Sequence, residues 1–381
     1  MKQQLQSVKQ LHIAFVSDAI YPYNKGGKEK RIYELTTQLA RRGHEVTIYC
    51  MKWWKGDNDT LLENGVVLKA ISPLYPLYSG DRRSISQAFF FALSCFKLVN
   101  EKFDVLDVDH MPHLVLFPTR LITWFKRKQM IVTWHEVWGR KYWVSYLGLL
   151  GNLAFLVEWV SARLPDKIVA VSEHTKRKLQ RELQVKKPMI VVPNGIDYSH
   201  IVSIKPAKEL SDIIFAGRLL ANKHVDQLIS SVPRLTKDFP TIKVIIIGEG
   251  PEKQSLRHLI KELKLEENIR LYDFFSTHDQ LYALFKSSKV FVSPSTREGF
   301  GIVALEANSC GLPVITTLHS DNATKDLIKE GQNGYFFAKN ELAKTIKEVL
   351  KKKHNRTEIA ESVKQYDWKS ITLKAEEVYL S

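Results

Sequence analysis

Cysteine is scarce in this chain: Cys50, Cys95 and Cys310 are the three present, far apart and with no Cys-x-x-Cys among them. That excludes a disulfide framework and a cysteine metal site, and leads to the expectation of a reducing, cytoplasmic setting. A long apolar run is also missing. The most apolar stretch, Tyr142 to Val157, is interrupted by Ser145 and Asn152 and closed by Glu158; it falls short of the roughly 18 residues that a membrane-spanning helix needs. The start of the chain is polar and leads straight into a strand, without the apolar core and small-residue cleavage site of a signal peptide, so no export is expected. Gly-x-Gly-x-x-Gly is absent after the first strand, where Ser17-Asp18-Ala19-Ile20-Tyr21 stands instead, and the fingerprint of a nicotinamide dehydrogenase is thereby excluded. The five methionines form no cofactor box, and there is no short-period repeat or low-complexity tract.

What is present is an ordinary globular composition, 44% hydrophobic and 25% charged. At 381 residues the chain is too long for one hydrophobic core, and two domains are expected. The formal net charge of +15 is unevenly spread, because residues 1–200 hold 29 Lys and Arg against 18 Asp and Glu, or +11. Arg82-Arg83, Lys126-Arg127-Lys128, Arg140-Lys141 and Lys176-Arg177-Lys178 suit an anionic membrane surface, an acidic acceptor or nucleic acid, and equally a solvated basic face. No recognised nucleic-acid-binding motif accompanies these dispersed residues, so nucleic acid is not an expected partner.

Short β-rich runs alternate with helical segments throughout, the pattern of doubly wound parallel sheets. In the first half the strands read 12–18, 45–50, 103–109, 130–135, 167–172 and 189–193, nearly all apolar, as strands buried on both faces must be. Helices are expected over 29–42, ended by Gly43, and over 84–102. The pattern restarts with strands at 212–216, 243–247, 269–272, 289–292 and 313–316, and helices such as 252–263 and 280–286. Pro193-Asn194-Gly195 breaks the last strand of the first half, and 194–211 is read as the linker. Domains are therefore expected at 1–197 and 198–355, with helices over 356–381 packing back toward the first. Two such units in series place a ligand in the crevice at the carboxyl ends of their strands.

The segment richest in chemistry runs from Val290 to Glu306. A strand ends at Ser293, a loop carries Gly299 and Gly301, and a helix opens near Gly301. Such a junction turns backbone N–H groups and the positive end of a helix toward an anion, and the glycines let a phosphate come close. Glu298 in the loop and Glu306 in the early helical turns do not suit phosphate; as acceptors they suit the neutral hydroxyls of sugars. Arg218, in Ala216-Gly217-Arg218-Leu219 at the end of a strand, and Lys223 five residues on can clamp a pyrophosphate. Gly248-Glu249-Gly250-Pro251 adds a third tight turn at the same sheet edge. The segment 107–113, Asp-Val-Asp-His-Met-Pro-His, reads as a metal site or as polar residues at a cleft rim. Two aromatic stretches, 138–164 and 84–98, read either as helices packed into the N-terminal domain or as lipid-facing or acceptor-lining elements.

Together these motifs resemble glycosyltransferase family 4, the retaining enzymes of the GT-B fold. The resemblance runs from Gly26-Gly27 to Trp368, through Thr133-Trp134-His135-Glu136, Val171-Ser172-Glu173, Pro193-Asn194-Gly195-Ile196-Asp197, Arg218 with Lys223, and the Glu-x7-Glu pair Glu298 and Glu306. It implies an α/β protein of two Rossmann-like doubly wound parallel-sheet domains facing a cleft, the N-terminal one for the acceptor and the C-terminal one for the donor. Carried over to these residues, it implies that Arg218 and Lys223 bind the donor diphosphate and Glu306 the ribose. Glu298 and the backbone of Phe300-Gly301-Ile302 would hold the transferred sugar. Gly26 and Gly27 would let a loop approach the donor phosphate, and His135 would face the reacting sugar. Two positions depart from the family pattern: His224 follows Lys223 where Gly is usual, and Leu318-His319-Ser320-Asp321-Asn322 replaces a Gly-Gly-x-x-Glu stretch.

The expected activity is thus a hexosyl transfer from a nucleoside diphosphate sugar to a sugar, glycan or lipid-linked acceptor, with retention of configuration, in the making of cell-surface polysaccharide or glycolipid. Arg218, Lys223 and the helix start at Gly301 would neutralise the leaving diphosphate. No carboxylate of the set is an obvious nucleophile on the far face of the sugar, and the resemblance implies a front-face route in which the leaving phosphate helps to deprotonate the acceptor. The 107–113 segment is accordingly preferred as strand-end polar residues, since Arg and Lys stand in place of a metal; no cofactor or essential metal is expected. The enzyme would be cytoplasmic, in peripheral contact with the inner face of an anionic membrane. The competing reading is a basic nucleic-acid or membrane-surface binding protein on the same scaffold, without transferase activity.

Overall fold

The computed structural model describes residues 9–24, 26–80 and 82–381. The polar start of the chain, read above as carrying no export signal, lies mostly outside them. The chain divides into two compact units, one formed by residues 1–194 with 368–381 and the other by residues 195–367.

The strands of the first unit are β1 (His12–Val16), β2 (Glu45–Met51), β3 (Thr60–Glu63), β4 (Val66–Ser72), β5 (Tyr78–Ser79), β6 (Arg82–Arg83), β7 (Val105–Asp109), β8 (Gln129–Trp134), β9 (Lys167–Ala170) and β10 (Met189–Val191). Eight of them form one sheet in the order β10-β9-β8-β7-β1-β2-β4-β3; β5 and β6 pair separately as a short ribbon. All pairings in the large sheet are parallel except that of β3 with β4. This hairpin was not expected, although its signal is in the sequence: Asn64 and Gly65 both have positive φ, 50° and 81°, the backbone of a tight hairpin turn. The chain steps one way from β1 to β2 and the other way from β4 to β7, β8, β9 and β10. Since such crossovers are right-handed, helix Gly27–Arg41 covers one face of the sheet, while the segments Ile85–Asn100, Leu116–Lys126 and Gly139–Ser161 cover the other.

Helix Trp368–Leu380 packs against Gly27–Arg41 in this first unit. Glu376 holds it there: Arg42 donates to both of its oxygens at 2.9 and 2.7 Å, and His44 lies 2.8 Å away. Tyr379 donates to Asp107 at 2.6 Å. The crossing falls at 367/368 and not at 355/356, because Arg356 is tied to the second unit by bonds to the carbonyl oxygens of Ser288, Phe285 and Cys310. Residues 195–211 also differ from a bare linker. They contain the helix Tyr198–Ser203, capped by Asp197, and Ile196 donates to the Tyr366 carbonyl at 2.9 Å.

The second unit carries β11 (Ser211–Ala216), β12 (Val244–Ile247), β13 (Ile269–Tyr272), β14 (Ser288–Ser293), β15 (Val314–Thr317) and β16 (Gly334–Phe337), all parallel, in the order β13-β12-β11-β14-β15-β16. The direction of winding reverses between β11 and β14. At such a switch point the two flanking loops leave the sheet in opposite directions and open a binding crevice between them. Ile213, Phe215, Val244, Ile246, Val290 and Val292 are buried in its core. Strand β16 was missed because its Gly334-Tyr335-Phe336-Phe337 run is too short to show a period.

Replacing Glu376 by Ala leaves His44 buried without its carboxylate partner. The first unit should lose about 1–3 kcal/mol in a denaturant titration; an unchanged unfolding midpoint would show that the last helix is held by its apolar face alone.

Candidate functional site

In the second unit, the loop after β11 is shaped by close backbone approach. A Cβ on Gly248 would collide with the Gly217 carbonyl, and one on Gly250 with the backbone of Leu219. The turn at 248–250 therefore lies flat against residues 217–219, and Leu219 donates to the Glu249 carbonyl at 2.8 Å. Arg218, beside it, is exposed, and its guanidinium has no partner among the described residues.

The loops after β11 and β14 are laced together. Thr296 N donates to the Asn222 carbonyl at 3.0 Å, Asn222 Nδ2 donates to the Arg297 carbonyl at 3.3 Å, and His224 Nε2 lies 3.0 Å from Thr296 Oγ1. This lacing brings Lys223 into an ion pair with Glu298, both largely shielded from solvent. His224 sits at φ 50°, ψ 41°, left-handed backbone, and caps the helix Val225–Leu235. The usual glycine of the family pattern fits that conformation without steric cost; here the imidazole bond to Thr296 accompanies it. The second departure is structural too. Glu298 N donates to the Asp321 carbonyl and Ala323 N to the Glu298 carbonyl, at 3.0 and 2.9 Å, while buried Asn322 bonds Thr316, Thr317 and Thr324. Residues 321–323 thus grip the backbone of Glu298.

Gly301 has φ 94°, and a Cβ there would collide with Thr324, so glycine is required where the helix Ile302–Ser309 opens. Phe300 is buried and meets Tyr366 edge-on at 6.2 Å. Glu306 is also buried, and Tyr282 donates to its Oε1 at 2.9 Å. Burial and the neighbouring carboxylate raise the Tyr282 phenol far above its ordinary value, so it stays a donor. Tyr282 was not singled out from sequence, where it is one residue of an unremarkable helix 24 positions from its partner.

The remaining candidates, Gly26, Gly27 and His135, belong to the first unit and lie at the carboxyl edge of its sheet. Gly26 caps the helix Gly27–Arg41; a Cβ there would meet the carboxylate of Glu29, whereas Gly27 faces open space. The next residue, Lys28, was missed. Its ammonium is buried between Asp18 at 2.9 Å and Asp109 at 2.5 Å, and Arg83 reaches Asp18 at 2.7 Å. Burial alone would raise the Asp109 carboxyl, yet Lys28 and the adjacent His110 hold it well below the ordinary range. Asp107 is pushed up by burial to about 6, against the bonds from Tyr379 and Thr133. Both aspartates are buried, which corrects their reading as rim residues. No cluster of three or more His, Cys, Asp or Glu with metal-holding geometry occurs among the described residues. His135, 13% exposed at its side chain and 4.0 Å from Asp109, is pushed down to about 3 by burial, against the raising effect of Asp109 and with help from His110, Arg31 and Lys28. His113 is lowered to about 3 as well, by burial and the neighbouring His110.

Two parallel doubly wound sheets of these orders make an α/β protein of the GT-B fold. Sucrose-phosphate synthase (tll1590) from Thermosynechococcus elongatus superposes with a TM-score of 0.77, covering 97% of this chain and 98% of that one at 18% identity. Anabaena Alr3699/HepE in complex with UDP-glucose superposes with a TM-score of 0.70, over 97% and 99%, at 16% identity. Family models match in tandem, Glycosyltransferase Family 4 over residues 25–200 and Glycosyl transferases group 1 over residues 200–366. The chain belongs to this family of glycosyltransferases. It is 24% identical to the phosphatidylinositol N-acetylglucosaminyltransferase gpi3 subunit of Schizosaccharomyces pombe, over 96% of this chain and 79% of that protein. It is 26% identical to the glycogen synthase of Mycobacterium tuberculosis, over 97% and 95%.

An ordinary histidine titrates between about pH 5 and 8. His135 and His113 should instead keep the NMR signature of the neutral ring throughout that range. The folded state refuses protons that the unfolded chain binds near 6.5, so stability rises with pH across this window and falls as pH drops below it. A His135 midpoint near 6.5 would contradict the burial that lowers it.

Proposed function

We propose that the protein transfers a hexose-like unit from a nucleoside diphosphate sugar, held at the β11/β14 switch point of the second unit, to a lipid-linked or glycan hydroxyl. One observation carries this reading: Arg218, the Lys223–Glu298 pair, the opening of helix Ile302–Ser309 and the Tyr282–Glu306 pair converge at one sheet edge. Arg218, having no side-chain partner among the described residues, is the cation a phosphate meets without competition. Lys223 is shared between Glu298 and an incoming diphosphate. Its exchange from carboxylate to phosphate frees Glu298 to accept from sugar hydroxyls. Glu306, kept aligned by Tyr282, accepts from the ribose. As the bond to the sugar breaks, charge grows on the leaving diphosphate; the two cations and the N–H groups at Gly301 and Ile302 then stabilise it more than in the ground state.

The family resemblance and the lack of a carboxylate nucleophile in the set support a retaining course by a front-face route. His135 is too weakly basic to serve as a general base, and its neutral ring suits orienting a hydroxyl. The relatives whose names carry UDP-N-acetylglucosamine and the neighbour solved with UDP-glucose support a uridine nucleotide as the first donor to test. The reading places the enzyme in the cytoplasm, in the making of surface polysaccharide or glycolipid, with no metal required.

Arg218→Ala and Lys223→Ala should each lower turnover about 100-fold or more with the fold intact, because two cations on a leaving diphosphate act mainly in the transition state. Near-wild-type rates in both would remove the clamp. Glu306→Ala should weaken binding of the free nucleoside diphosphate by about 1–3 kcal/mol, as for a charged hydrogen bond, and Tyr282→Phe by less. If only the sugar-bearing donor loses affinity in calorimetry, the roles of Glu298 and Glu306 are exchanged.

A further inference from the structure

The exposed apolar side chains of the first unit are not scattered. On the face of its sheet covered by Ile85–Asn100, Leu116–Lys126 and Gly139–Ser161, the inner sides of the helices bury Phe91, Leu98, Leu116 and Ile122, as helices on a sheet must. Their outer sides are apolar as well. Phe89, Phe90 and Phe96 stand exposed on the first segment, and Trp124 and Phe125 on the second are 64% and 68% exposed. A helix that is apolar all round belongs in a core or in lipid, not in water.

The third segment makes the case sharper. Gly139–Ser161, 23 residues, is long and apolar enough for a candidate span, but it does not run straight. It turns at Gly148, φ 63°, and its two helices pack on each other, with Gly151 so close to the Trp143 carbonyl that a Cβ would collide. Glu158 locks the base by accepting from Trp138 N, Gly139 N and Trp143 Nε1. The result is a helical hairpin with a bare apolar tip. Leu149 is 90% exposed, and Leu150 and Leu153 are exposed beside it. Of the two readings of 138–164, a helix packed into its domain does not describe this exposed tip.

Charge decides what covers this face. Residues 82–100, 110–128 and 137–157 contain no Asp or Glu, while Arg82, Lys97, Arg127, Arg140 and Lys141 are exposed among them. Helices Gly27–Arg41 and Trp368–Leu380, on the other face, mix both signs, Glu29, Glu34, Glu376 and Glu377 with Lys28, Lys30, Arg31, Arg41, Lys369 and Lys374. A second copy meeting the basic face through itself would set like charges against like. An apolar surface with a cationic rim suits an anionic bilayer, where aromatic and leucine side chains enter the headgroup boundary and the cations stay at the lipid phosphates.

We infer that this face is a membrane-docking platform, in which the hairpin tip at Leu149 and Leu150 and the ridge at Trp124 and Phe125 enter the leaflet of an anionic membrane. The platform gives the proposed transferase a lipid-borne acceptor, and only that consequence rests on the proposed function. Arg83 takes no part, being spent on Asp18.

Flotation with vesicles of neutral phosphatidylcholine, with or without anionic phosphatidylglycerol, tests the platform. The full chain should float with the anionic vesicles and lose most of that association at high salt, where the Debye length falls below about 8 Å. Trp124→Ser with Phe125→Ser, and Leu149→Ser with Leu150→Ser, replace exposed side chains and should each lower partitioning about ten-fold or more. Arg127→Ser with Lys141→Ser should abolish the preference for anionic lipid. UDP binding and donor hydrolysis, read on the same variants without vesicles, should stay at wild-type values. No flotation at any salt, or flotation that ignores these substitutions, overturns the platform. So does a lipid-free dimer that the apolar substitutions break, since the face is then covered by a second copy. If vesicles bind normally while no nucleotide sugar is bound or hydrolysed, the transferase reading fails and the platform stands.

Discussion

Lys223 and Glu298 are 75 residues apart, and they meet because β11 and β14 are hydrogen-bonded neighbours whose loops leave the sheet at its reversal point. Nearly everything else in the second unit serves that meeting. The 248–250 turn pins residues 217–219 from one side, the 321–323 segment grips the backbone of Glu298 from the other, and Asn222 binds the two loops across the middle. An ion pair on mobile surface loops contributes little. Here the backbone network fixes both partners, so their charges are positioned before any substrate arrives, which is the condition under which electrostatics accelerates a reaction.

The first unit applies the same device to different ends. Its own reversal point lies between β1 and β7, where Lys28, directly after Gly26 and Gly27, is buried between Asp18 from the loop after β1 and Asp109 at the end of β7. The cation anchors the opening of helix Gly27–Arg41, and with it the glycine pair. His135, on the neighbouring strand end, is kept neutral by the same burial. One sheet edge thus exposes Arg218, unpaired among the described residues, beside the shielded carboxylates Glu298 and Glu306, while the other keeps its charges internally compensated and presents a neutral ring.

Much of this was legible in the sequence. Strands buried on both faces must be nearly all apolar, so β1, β2, β7, β8, β11, β12 and β14 stand out without an alignment. The junction from Ser293 to Glu306 carries its chemistry in consecutive residues. What stayed hidden depends on distance along the chain. Tyr282 is recognisable only through Glu306, and Lys28 only once Asp18 and Asp109 are its neighbours. The hairpin at 139–161 was ambiguous for another reason. A buried helix and a lipid-facing one share a composition, and only the turn at Gly148 and the outward leucines separate them. The Asn64-Gly65 hairpin, by contrast, was readable and was overlooked.

Hydrogen exchange of the full protein with and without UDP tests the central claim most directly. The account expects slowed exchange over residues 217–223 and 294–306, the two loops and the helix opening that the switch point brings together, and at Tyr282 and its neighbours through Glu306. Binding of UDP without protection in those segments would contradict it, because the nucleotide would then be held by some other part of the molecule.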